Sequence, residues 1–196
     1  FVLFTSSLSA VTPYTHGILP TIAADADLTS AYSAWKTRHL KTITCGSAME
    51  YVDNGRGFNQ VFSEGQAYGL LMAAYMDPDS TSFAKLWAFY ALRMDSHGLM
   101  NWQGPNDCTG NNGQNAATDG DLDAAIALIR AHRRWPAEGW GAKATTLLNN
   151  IYTNMVDGCS GLKNGDTWGG CSRVSTNAYN PSDFRTAYMA SFNCFE

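Results

Sequence analysis

Basic residues are scarce in this chain of 196 residues: 13 Lys and Arg stand against 17 Asp and Glu, a formal net charge of -4. A nucleic-acid surface needs a clustered basic face to release counterions, so the balance speaks against such a partner. Long apolar runs are lacking as well. Residues 1–10 are apolar but too short to cross a bilayer, and no later stretch is long enough for a membrane helix. The five cysteines (Cys45, Cys108, Cys159, Cys171, Cys194) include no C-x-x-C pair, which removes the common zinc frameworks. The four histidines (His16, His39, His97, His132) show no H-x-x-x-H spacing. Residues 103–116 are rich in Gly, Asn and Asp but lack the D-x-D-x-D-G order of a calcium loop. There is no G-x-S-x-G elbow, and Gly55-Arg56-Gly57 is a lone G-x-G without the helix a nucleotide site needs. A Cys-His pair such as Cys108 with a remote His has no local support. The sequence therefore predicts no metal and no cofactor.

What remains is 45% hydrophobic and 15% charged, the composition of one globular domain with a sizeable core. Aromatics are plentiful, with 6 Trp, 9 Tyr and 9 Phe. Core packing accounts for most of them. Trp102 and Trp168 sit in polar, Gly-rich loops, where they either stack on sugar rings or close the loops; the residues alone leave both readings open. Cys159 and Cys171 flank one Gly-rich loop, and bridged and free thiols are equally consistent with the sequence. Residues 1–10 read as the end of a secretory h-region, or else as an apolar segment packed on the body.

Apolar periodicity predicts six helices joined by alternating short and long loops, with no strand series and no βαβ pattern. Asp27 caps the first, and residues 45–59 form a loop or short hairpin. Ser63 and Gln66 have the form of a capping box, ahead of a helix that stops before Pro78. A third helix starts at Ser80 or Thr81 and ends near His97-Gly98. Thr118-Asp119-Gly120-Asp121, a second capping-box-like start, opens a fourth that runs to Trp135, the fifth covers residues 142–155, and a last one starts near Asp183. The fourth helix begins with three aspartates on alternate positions (Asp119, Asp121, Asp123). One acid at a helix N-terminus is ordinary, but three repel one another and must be held by something beyond the helix.

Cleaving a glycosidic bond takes one carboxylic acid to protonate the leaving oxygen and one carboxylate to handle water or the sugar. Glu64 and Asp119 each sit in the first turn of a helix and are candidates, if the two helix N-termini face one cleft. A helix N-terminus lowers a carboxyl pKa, so an acid there needs an apolar wall or a neighbouring carboxylate to raise it.

The segment Ala117-Thr118-Asp119-Gly120-Asp121-Leu122-Asp123 and its continuation to Trp135 resembles the signature of glycoside hydrolase family 8, with Ala124 as the one clear departure, where the family has Ile or Met. Ser63-Glu64-Gly65-Gln66-Ala67-Tyr68-Gly69 resembles that family's general-acid motif. Gly98-Leu99-Met100-Asn101-Trp102, Gly165-Asp166-Thr167-Trp168-Gly169-Gly170 and Asn180-Pro181-Ser182 follow in the family's order. The resemblance implies an all-α (α/α)6 barrel and an inverting, endo-acting hydrolase of β-1,4-linked polysaccharide: cellulose or a related β-glucan, xylan or chitosan. It further implies a secreted or periplasmic protein, a monomer at full length, with no nucleic-acid or membrane partner.

Carried over, Glu64 is the general acid and Asp119 the aspartate that contacts the sugar at the cleavage point, in some accounts the nucleophile. Trp102, Trp168, Asp121 and Tyr68 are the implied substrate-binding residues. The family's base lies in a Tyr-Asp segment well after the Asn-Pro-Ser landmark, and this sequence stops at Glu196 before one is reached. The expectation is thus that residues 11–196 form the N-terminal half of a longer catalytic domain, inactive by itself. A non-catalytic carbohydrate-binding protein is the alternative.

Overall fold

The computed structural model describes residues 24–55, 57, 59–110, 115–158, 161–171, 183, 188, 189 and 192. Helix α1 (Asp25–His39) begins two residues before the predicted cap: Ala24 is the N-cap, and Asp27, the third helical residue, accepts the Ala24 N–H at 3.1 Å; the helix ends in Lys36, Arg38 and His39, where cations suit the helix dipole. It leads into an antiparallel hairpin, β1 (Leu40–Cys45) and β2 (Ser47–Val52), in register from Leu40 opposite Val52 to Cys45 opposite Ser47. The turn is a single residue, Gly46, at φ +77°, a conformation that side chains disfavour. The predicted hairpin is therefore present, but it starts five residues earlier than the polar loop beginning at Cys45 suggests.

Strand β3 (Gln60–Phe62) runs straight into α2 (Ser63–Met76), and α3 (Thr81–Leu92) follows after a short turn. Strand β4 (Gln103–Pro105) pairs antiparallel with β3. Helix α4 (Thr118–Arg134) and α5 (Trp140–Met155) follow, linked by a single 3-10 turn. Five α-helices lie among the described residues, against six predicted; the sixth falls largely outside them. Helix α3 stops several residues short of His97. There the chain folds back: Asn101 donates its main-chain N–H and its side-chain amide to the Arg93 carbonyl, at 3.0 and 2.9 Å, and Met94 bridges to Met100.

The core is built on α4, buried along nearly its whole length from Thr118 to Ile129. It packs between α2 and α5, and α2 in turn packs on α3. Small residues make this possible: Ala67, Ala73 and Ala74 on α2 and Ala124, Ala125, Ala127 and Ala131 on α4 are all buried, so the two helices approach closely. Leu70, Phe83, Leu86, Phe89, Leu128 and Leu147 fill the space around them. At the far end of the pair Arg134 donates to the carbonyls of Ala74 (2.9 Å) and Asp77 (2.6 Å), satisfying the open C-terminus of α2.

Neither predicted capping box forms. Ser63 and Thr118 are the first helical residues rather than caps, and neither helix has a side-chain cap. Their main-chain N–H groups donate instead to Trp102 O and Asn164 O, both at 3.0 Å. Gln66 is fully buried. Its oxygen accepts the Val52 N–H (3.0 Å) and its amide donates to Glu50 O (3.1 Å) and Leu86 O (2.9 Å), so it ties β2 and α3 to α2. Sequence spacing identified Gln66 as a special residue but not its partners, which are 14 to 20 positions away.

Candidate active site at two adjoining helix N-termini

A row of main-chain contacts laces four loops together beside the starts of α2 and α4. Ser63 N–H donates to Trp102 O, and Trp102 N–H donates to Asn115 O at 2.9 Å. Asn101 bridges Ala116, and Ala117 bridges Gly165. The residues the sequence singles out follow from these segments: Trp102 and Trp168 lie in the loops, and Glu64 and Asp119 in the first turns of the helices the loops lead into or pair with. The helices close the arrangement from behind. A Cβ on Gly120 would lie 2.6 Å from Ser63 Oγ and 3.0 Å from its carbonyl carbon, so the first turns of α2 and α4 touch. Only glycine permits that approach.

Glu64 and Asp119 therefore lie at the same edge, each one residue from this contact. Glu64 is exposed and Asp119 half-buried. Asp119 Oδ1 accepts the Gly120 N–H at 2.8 Å. Tyr68 is 46% exposed and one helical turn after Glu64, on the same face. A cleft of about 480 Å³ is lined by Trp102, Asn115, Ala117 and Trp168, on segments that pair with or run into the starts of α2 and α4. Trp102 and Trp168 stay 41% and 37% exposed, although large aromatics usually bury more than that. Trp102 is braced by the Phe62 ring, 6.0 Å away. Trp102 and Trp168 line one cleft, and Glu64, Tyr68 and Asp119 lie on the two helix starts that adjoin its loops.

Asp121 is different. It is fully enclosed, and its Oδ1 accepts the Met100 N–H at 3.1 Å and the Tyr90 hydroxyl. Burial pushes its carboxyl up to about 8, and burial followed by the Asp121 carboxyl pushes the Tyr90 phenol well above its ordinary value. The side chain expected in the substrate-binding set lies beneath the cleft and holds the floor to α3. Asp123 is buried too and accepts the Tyr188 hydroxyl at 2.7 Å. The three alternating aspartates therefore divide: Asp119 is half-buried, and the other two are buried and accept tyrosine hydroxyls from elsewhere in the chain.

One group of residues escaped the sequence reading. Asp95, His97 and Asp166 converge next to the floor, with one ligand atom from each lying within 4.8 Å of the others. His97 Nδ1 lies 2.6 Å from Asp166 Oδ2, and Asp166 Oδ1 accepts the Ala116 N–H at 3.0 Å. Burial raises Asp95. Burial acts on Asp166 in the same sense, but the hydrogen bonds with His97, Asp95 and the Ala116 N–H outweigh it and hold Asp166 below its ordinary value. Asp166 is 69 positions from His97, so no local spacing could have revealed the group. These are the residues that could hold a metal ion.

Cysteine pairing is left open by the sequence. Cys45 is bonded to Cys108, a long-range bridge with 63 positions between its ends. Cys171 is disulfide-bonded as well; the pairing expected for it with Cys159 lies outside the described residues. No helix among the described residues is long and apolar enough to cross a membrane.

Known proteins are similar to this chain in sequence and fold. The family model for glycosyl hydrolases family 8 matches residues 8–196. Endoglucanase C of Ruminiclostridium cellulolyticum is 35% identical over 176 residues, covering 85% of this chain and 36% of that protein. Endoglucanase A of Acetivibrio thermocellus is 34% identical over 190 residues, covering 90% of this chain and 38% of that protein. A β-1,3-1,4-glucanase from Paenibacillus sp. X4 superposes with a TM-score of 0.76 at 26% identity, over 92% of this chain and 50% of that one. The chain thus spans little more than a third of those two endoglucanases and half of the solved glucanase. Its helix-rich architecture is consistent with an (α/α)6 barrel. With a family match over almost its full length and its motifs in the same order, the chain belongs to glycosyl hydrolases family 8.

Proposed function

We propose that this chain supplies the acid side of the active site of an endo-acting β-glucan hydrolase that works with inversion. The observation behind the proposal is the Gly120–Ser63 contact, which keeps Glu64 and Asp119 at one edge beside a cleft flanked by two half-exposed tryptophans. Exposed carboxylates with flat aromatic surfaces nearby suit a sugar chain, whose CH faces stack on rings while its glycosidic oxygens take protons. Glu64 is the general acid and protonates the leaving oxygen. Asp119 contacts the sugar at the point of cleavage. Trp102, Trp168 and Tyr68 carry neighbouring sugar units, and Asp121 shapes the floor without touching substrate.

Inversion needs a second carboxylate about 6.5–9.5 Å from the acid to activate water. We assign that role to none of the described carboxylates. Residues 11–196 are accordingly read as the N-terminal part of one catalytic domain, half of an (α/α)6 barrel, a reading supported by the share of its relatives that the chain spans. An extracellular setting is supported by the Cys45–Cys108 bridge, which oxidising compartments maintain. The two endoglucanases and the β-1,3-1,4-glucanase described above support β-glucan over xylan or chitosan as substrate.

The test is Glu64→Gln in the full-length enzyme, assayed on mixed-linkage β-glucan and carboxymethylcellulose. Removing the proton donor is expected to cost kcat about 10²–10⁴-fold while oligosaccharide binding persists. Normal turnover by the variant sinks the assignment.

A further inference from the structure

The Asp95–His97–Asp166 group has the form of a cation site, and it is independent of the sugar chemistry proposed above. We propose that it binds a divalent transition-metal ion of the zinc class, which fastens the Trp168 loop to the turn between α3 and β4. Each carboxylate is arranged alike. One oxygen is taken by main-chain donors: Asp95 Oδ1 accepts the N–H of His97 (2.8 Å) and of Leu99 (3.2 Å), and Asp166 Oδ1 accepts the N–H of Ala116 (3.0 Å). The other oxygen of each turns toward His97 Nδ1, Asp166 Oδ2 at 2.6 Å and Asp95 Oδ2 at 4.0 Å. Hydrogen bonds to the outer oxygens are what a metal site uses to orient its ligands.

A second observation points to a ligand. The Asp95 side chain is 8% exposed, and its enclosed Oδ2 has no N–H or hydroxyl donor among the described residues; what it faces is the Asp166 carboxyl. Adjoining buried carboxylates need a proton or a cation between them. Lys163 does not fill that role, because its ammonium donates to the Asp166 main-chain carbonyl at 2.5 Å.

An ion bonded at about 2.0–2.2 Å to one nitrogen and two oxygens sets those atoms roughly 3.0–3.5 Å apart, so the present separations close with shifts of under about 1 Å. A ligand set of one imidazole and two carboxylates suits zinc and its neighbours better than calcium or magnesium, which take oxygen alone. His97 is 39% exposed and provides the route of entry.

The experiment titrates Zn²⁺ into chelator-treated protein by calorimetry and follows Tm, with Co²⁺ as a spectroscopic probe. One ion per chain, a rise in Tm of several degrees at saturation and a cobalt d–d band are expected. His97→Ala should weaken binding at least tenfold and abolish the band; Asp95→Asn should do the same, and Asp107→Asn, on the exposed loop, should not. His97 is partly exposed, so its variant should fold and decides the matter if Asp95→Asn does not. Absence of stoichiometric Zn²⁺ binding, or affinity unchanged in His97→Ala, overturns the proposal.

Discussion

Asp121 shows how far a residue's surroundings can override its type. An aspartate in the first turn of a helix normally favours its charged form, through the dipole. Here full burial wins, and the carboxyl is pushed up to about 8. The unfolded chain ionises this group near pH 4, so between about pH 4 and 8 the folded state holds one proton more than the unfolded state. The stability it contributes is therefore complete below pH 4 and is lost as the pH rises through 8. Wild-type unfolding free energy should fall by on the order of 3 kcal/mol from pH 5 to pH 8 on this account. Asp121→Asn keeps an oxygen to accept from Tyr90 and Met100, so at pH 5 it should stay within about 1 kcal/mol of wild type and lose this part of the slope. Denaturant titrations at the two pH values measure both effects.

At the scale of elements, the site depends on two helices touching at their first turns. Gly120→Ala places a methyl 2.6 Å from Ser63 Oγ and 2.8 Å from its Cβ. Neither atom is the end of a long flexible chain, so α2 and α4 must separate. The expected cost is about 1–3 kcal/mol in unfolding free energy. Activity of the full-length enzyme should fall further than stability alone explains, since the shift moves Glu64 relative to Asp119. A variant with wild-type kcat would show that the spacing of these turns does not matter to the chemistry. The predicted capping boxes failed at this same scale. The residue spacings were present, but strand pairing with Trp102 and Asn164 had already satisfied the first N–H of each helix. That freed Gln66 to serve as a buried cross-link and left Asp121 to receive Tyr90.

Across the whole molecule, the Cys45–Cys108 bridge fastens the hairpin of β1 and β2 to the loop after β4. That loop is also held by buried Arg93, which donates to Thr109 O at 2.6 Å and to Asp107 O. A bridge across 63 positions should contribute about 4 kcal/mol by restricting the unfolded chain. Replacing both cysteines by serine should lower Tm by about 10 °C or more, measured by calorimetry at fixed pH. The Arg93 carbonyl contacts should keep the loop in place, so the substrate affinity of the full-length enzyme should change little.

The sequence by itself determined the helices and the outward-facing residues. Periodicity located α2, α4 and α5 to within a few residues, because an amphipathic or buried stripe is a local property of the chain. The order of motifs selected Glu64, Asp119, Trp102 and Trp168. Tertiary structure alone decided what those residues stand on. The short strands that lace the loops, the touch of Gly120 on Ser63, the Cys45–Cys108 pairing and the meeting of His97 with Asp166 all join positions dozens of residues apart. Such contacts depend on how the helices pack and leave no local pattern in the chain. The same reason explains Asp119, Asp121 and Asp123, alike in sequence: contacts with Tyr90 and Tyr188 hold two of them in the interior and leave Asp119 half-buried.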